Sequence, residues 1–115
     1  MDERLEKALD VSNYMATLYN QKRSFQEKFY QDLVYYYEGA QFTVTKELIS
    51  FCNIMLEKDQ DELVLIDDNE TPVQILNLKL FLENIINTYF TASNNYINNY
   101  NRIKKQRTIE NLVEL

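Results

Sequence analysis

The chain contains no histidine and no tryptophan, and only one cysteine, one glycine and one proline in 115 residues. Each shortage excludes something. Without histidine, the commonest general base and the commonest transition-metal ligand are missing. One glycine is too few for a phosphate-cradling loop or a dinucleotide-binding fingerprint. Cys52 stands alone, so no intramolecular disulfide can form, and no histidine is present to activate it as a thiolate. It reads as a core thiol in a reducing compartment. With Gly39 and Pro72 as the sole helix breakers, long uninterrupted elements are expected. No apolar run suits a membrane span, and the start Met1-Asp2-Glu3-Arg4 has no leader pattern. A cytoplasmic protein without membrane contact is therefore expected.

What is present points to a small folded domain. Apolar residues make up 45% of the chain, enough for a core and too many for wholesale disorder. The net charge of −6 favours solubility and argues against a broad nucleic-acid-binding face, though it leaves room for a local basic patch.

Residues 2–38 read as one long helix. Ala8, Val11, Met15, Leu18, Lys22, Phe25, Phe29, Asp32 and Tyr36 recur at steps of three and four, the seam of a helix packed lengthwise on another. Gly39 fits a helix stop. Residues 42–45 favour a short strand. Thr45 can cap a helix over 46–58, which would bury Leu48, Ile49, Phe51, Cys52, Met55 and Leu56. Two β-favouring runs, 63–66 and 71–75, flank an Asp/Asn cluster and predict a hairpin, with Pro72 at an edge or a strand start. A second long helix, 77–107, is capped by Asn77. It carries one stripe through Leu78, Leu82, Ile85, Tyr89, Ala92, Tyr96, Asn99 and Ile103, and another through Phe81, Ile86, Phe90 and Ile97. Residues 108–115 form a short amphipathic tail. The expected fold is thus mainly α: two long antiparallel helices, with a shorter helix and a small β-hairpin or three-stranded sheet at one end, in a single domain.

Candidate chemistry is sparse. The carboxylates Asp59, Asp61, Glu62, Asp67, Asp68 and Glu70 could bind a hard cation or do acid–base work, but no calcium-loop spacing is present and they read as solvated turns. No cofactor and no catalytic residue is expected. Three features could meet a partner. Tyr35, Tyr36 and Tyr37 point about 100° apart on a helix, which would expose one or two of them as a binding surface. Ile109, Leu112, Val113 and Leu115 form an apolar face that could dock in a groove or fold back on its own bundle. Arg102, Lys104, Lys105 and Arg107, with Tyr96 and Tyr100 upstream, could contact nucleic acid by phosphate pairing and stacking, or could offset a helix dipole.

The Asn/Ile/Tyr bias, the two long helices and the hairpin Val64-Leu65-Ile66-Asp67-Asp68-Asn69-Glu70-Thr71-Pro72-Val73 resemble small proteins of T4-like tailed phages of marine bacteria. The resemblance implies a role in virion assembly, replication or host takeover and assigns no functional residue. The leading expectation is a non-enzymatic assembly or scaffold factor that binds itself, most simply as a dimer, and another protein. The alternative is a nucleic-acid-binding accessory factor using residues 96–107.

Overall fold

The computed structural model describes residues 2–113, with side chains through Lys105. Three helices and four strands follow in the order α1 (Glu3–Asp32), β1 (Val34–Tyr37), β2 (Ala40–Thr43), α2 (Lys46–Glu57), β3 (Leu63–Ile66), β4 (Pro72–Ile75) and α3 (Leu78–Val113). Helix dominates, as the long three-four periodicities predict. The strands form two separate antiparallel hairpins, so the three-stranded alternative does not occur among the described residues. The chain packs as two units, one of residues 29–94 and one of residues 1–28 with 95–115.

α1 ends sooner than its sequence predicts. The helix stops at Asp32, six residues before the expected end, and Tyr35–Tyr37 lie on a strand. Leu33, Tyr35, Tyr37, Ala40, Phe42 and Val44 alternate inward on both sides of Glu38-Gly39, while Tyr36 and Thr43 point outward. Period two with aromatic and β-branched residues favours strand over helix. Gly39 is therefore a hairpin turn residue. Glu38 has φ 48° and Gly39 φ 82°, and a two-residue type I′ turn needs positive φ at both positions. Glycine takes that conformation freely, whereas glutamate does so at a cost.

In the 29–94 unit, α3 supplies the central surface. Leu78, Phe81, Leu82 and Ile85 are buried there with Phe42, Val44, Cys52, Leu65 and Ile75. The Phe81 ring meets Tyr35, Tyr37 and Phe42 edge-on, with centroids 5.7, 5.6 and 5.4 Å away, the arrangement aromatic quadrupoles prefer. Asn84 Nδ2 donates to the Tyr35 hydroxyl at 3.1 Å. Thr45 caps α2 through its Oγ1, which accepts from the Leu48 N–H at 3.1 Å. Asn77 caps α3 in the same way, from the Leu80 N–H at 3.1 Å. Phe51, expected on the buried face of α2, is exposed. Pro72 opens β4, opposite Ile66, where its missing N–H costs no inner ladder bond.

In the other unit, the parts of α1 and α3 that belong to it run antiparallel. Met15, Leu18 and Tyr19 share a groove with Tyr100 and Ile103, while Lys28, at the other end of the segment, lies by Asn95 and Asn98. The seam is Tyr14, Leu18, Gln21 and Phe25 on α1 and Tyr96, Asn99 and Ile103 on α3, the most covered of the described residues there. The α3 stripe matches the sequence expectation. The expected α1 stripe agrees at Leu18, Phe25, Phe29 and Asp32, whereas Val11, Met15 and Lys22 are exposed and Tyr14 and Gln21 take the covered places beside the last two. The apolar residues of α1 exceed one stripe, and spacing alone does not say which set pairs with α3.

Candidate interaction surfaces

The seam divides the helix pair into two flanks of unlike chemistry. Residues one position after the seam are Met15, Tyr19, Lys22 and Gln26 on α1, and Ile97, Tyr100 and Lys104 on α3. Residues one position before it are Asn13, Thr17, Asn20 and Ser24 on α1, and Asn95, Asn98 and Arg102 on α3. One residue on a helix is about 100°, so these sets stand on opposite sides of the contact. The first is an apolar flank. Met15 is 49% exposed, Tyr19 66% and Tyr100 42%, around a groove of about 230 Å³ that Lys22 and Lys104 also line; Ile97, 50% exposed, is on the same flank outside that lining. The second is an amide flank, with a groove lined by Lys28, Asn95, Asn98, Asn99 and Arg102.

This geometry divides the basic segment between the two flanks. Tyr96 is half-buried in the seam, Tyr100 and Lys104 belong to the apolar flank, and Arg102 belongs to the amide flank, with Lys105 a heptad beyond Asn98. Of the described cations, Lys104 is thus on the flank of Tyr100, and Arg102 and Lys105 are on the other. The Arg102 guanidinium donates to Asn99 Oδ1, within the seam, and its carbon lies 6.0 Å from the Phe25 ring centroid. The side chains of Arg107, Ile109, Leu112, Val113 and Leu115 lie outside the described residues. The backbone of α3 continues through Val113, so helix extends beyond residue 107 into the expected tail.

The tyrosine triplet splits by strand alternation. Tyr35 and Tyr37 pack against the core, and only Tyr36, 67% exposed, is available to a partner. A surface not foreseen from the sequence lies on the second hairpin. Its outward positions include Val64 and Ile66, and Leu76 just after β4 is also exposed, each close to 60%. The alternation of Val64, Leu65 and Ile66 carries the signal, but all three are apolar, so the pattern does not say which face is covered.

The acidic loop is structural. Asp67 is 8% exposed. Its Oδ1 accepts from the Asn69 and Thr71 N–H groups at 2.9 Å each, and its Oδ2 from the Gln41 N–H at 3.4 Å. Asp68 reaches the edge of β2. Its N–H donates to the Gln41 carbonyl at 2.8 Å, Oδ1 accepts from the Thr43 N–H at 3.0 Å, and Oδ2 accepts from Thr43 Oγ1 at 2.7 Å and Gln41 Nε2 at 3.2 Å. Desolvation raises the Asp68 pKa, but the Thr43 and Gln41 hydrogen bonds outweigh it and hold the carboxyl below its usual value. These oxygens join one hairpin to the other and block the β2 edge. Among the described residues no cluster of three or more acidic or thiol side chains is placed to hold a metal ion. Burial pushes the Cys52 thiol up to about 11, which suppresses thiolate chemistry at neutral pH. No described helix is long and apolar enough to cross a membrane.

Comparison with known proteins gives no match among family models, curated proteins or solved structures.

Proposed function

We propose that this protein is a non-enzymatic interaction module, an assembly or scaffold factor that pairs with a second copy of itself through the apolar flank of its helix pair. The observation that carries the reading is Met15, Tyr19, Ile97 and Tyr100, four large apolar or aromatic side chains left open on one flank. Two helices share a single seam, and a second pair laid against this flank would complete a four-helix arrangement. Lys22 and Lys104 fit the rim of such a contact, where their stems cover apolar surface and their ammonium groups stay in water. The outer face of the second hairpin, Val64, Ile66 and Leu76, would remain for another protein. Several features argue against catalysis. Histidine is absent, the one thiol is buried, and the Asp67 and Asp68 oxygens are occupied by protein donors.

The test is the double variant Met15→Glu, Ile97→Glu. Both sites are exposed in the protomer, so helix content by circular dichroism should match the unaltered chain. Association measured by light scattering should be lost. A double variant that associates as strongly as the unaltered chain would rule out this flank.

A further inference from the structure

Charge is divided sharply between the two units. The unit of residues 1–28 and 95–115 holds nine Lys and Arg against seven Asp and Glu, a net +2; residues 29–94 hold three against eleven, a net −8. Together they give the overall −6, which hides the partition. Within the positive unit, residues 11–28 and 95–109 contain one acid, Glu27, and its carboxylate faces Arg23 at 3.9 Å. Antiparallel packing brings the basic cluster of α1 beside that of α3, although about 75 residues of chain separate them.

We infer that the amide flank of this helix pair binds the phosphate backbone of a nucleic-acid strand. Lys28, Arg102 and Lys105 supply charge, and all three are exposed. Asn95 and Asn98 beside them supply amide donors, the groups that accompany cations in phosphate and sugar contacts. Among the described residues no acid lines the groove. The bond from Arg102 to Asn99 and its approach to Phe25 hold the guanidinium in place, which lowers the entropy lost when a phosphate binds. No aromatic ring stands among the one-before-seam positions that define this flank, so binding should be insensitive to base sequence. An acidic polypeptide would match the charge but offers no row of phosphate oxygens to the amides. The inference does not depend on self-association, because the apolar flank lies across the seam.

Fluorescence anisotropy of a labelled single-stranded oligonucleotide, titrated at several salt concentrations, tests it. The expected result is binding at low salt that weakens as salt rises. The log–log slope should be about −2, from three cations at roughly 0.7 per phosphate on a single strand. Arg102→Gln with Lys105→Gln should cut affinity by at least about tenfold and bring the slope below about 1 in magnitude. Arg102 also contacts the seam, so Lys105→Gln alone serves as the second variant and should reduce the slope by about 0.7. Lys22→Gln with Lys104→Gln, on the opposite flank, should change binding less than the Arg102 and Lys105 pair. Absence of salt-sensitive binding, full binding by the Arg102 and Lys105 variant, a larger loss from the Lys22 and Lys104 pair, or equal competition by polyglutamate of matched charge would each overturn the inference. Light scattering of the same variants reports self-association separately.

Discussion

Replacing Asp67 asks whether the acidic loop is a solvated turn or a joint between the hairpins. Two hydrogen bonds at 2.9 Å and one at 3.4 Å converge on its carboxylate, which is 8% exposed. A hydrogen bond to a charged acceptor contributes about 1.5–3 kcal/mol net. Asn69 and Thr71 lie at an exposed turn, so water can reach their N–H groups once the carboxylate is gone and recover part of that. Asp67→Ala should therefore cost about 2–3 kcal/mol. Asp67→Asn keeps one accepting oxygen for Asn69 and Thr71 but turns an amide donor toward the Gln41 N–H, whose bond is already long. It should cost about 1 kcal/mol. Denaturant unfolding followed by circular dichroism at one fixed protein concentration measures both, with unchanged m-values as the check on comparability. If both variants fall within about 0.5 kcal/mol of the unaltered protein, as ordinary surface substitutions do, the joint does not exist and the solvated-turn reading stands.

Three further outcomes follow from the same unit. Phe81→Ala removes the ring that Tyr35, Tyr37 and Phe42 surround and should cost about 3–5 kcal/mol in the same assay; a loss under about 1 kcal/mol would contradict the packing. A thiol reagent at pH 8 should label Cys52 only as the protein unfolds, because burial holds the thiol near 11; rapid labelling in native buffer would contradict its burial. Asp68 is held below its ordinary carboxyl value, so its contribution is complete above the unfolded pKa, about 4, and is lost as pH falls through the lower folded value. The stability difference between the unaltered protein and Asp68→Ala should be constant between about pH 5 and 7 and shrink below about pH 4, and a difference that grows with acid would reverse the sign of this argument.

The parts of the fold legible in the sequence are those where one period dominates. The α3 stripe from Leu78 to Ile103, the caps at Thr45 and Asn77, and the strands around Asp67 to Thr71 all match their expected places. Residues 33–38 read as helix in the sequence because they continue a helical run without a breaker. Only the alternation on both sides of Glu38-Gly39 distinguishes the hairpin, and glutamate is an uncommon first residue for a type I′ turn. The carboxylates of Asp67 and Asp68 looked solvated because their partners, Gln41 and Thr43, lie about 26 residues earlier, beyond the reach of any local pattern. The basic segment was visible as a run of charge. Its split into two flanks was not, since that depends on which face of α1 meets α3, and α1 offers more apolar stripes than one seam can use.

Sedimentation velocity of the unaltered chain across a wide concentration range tests the central claim most directly. With Met15, Tyr19, Ile97 and Tyr100 open on one flank, a second copy is expected to cover them. The weight-average sedimentation coefficient should rise with concentration toward a dimer. A single monomeric species at the highest concentration, with no other protein present, would contradict self-association through the helix pair.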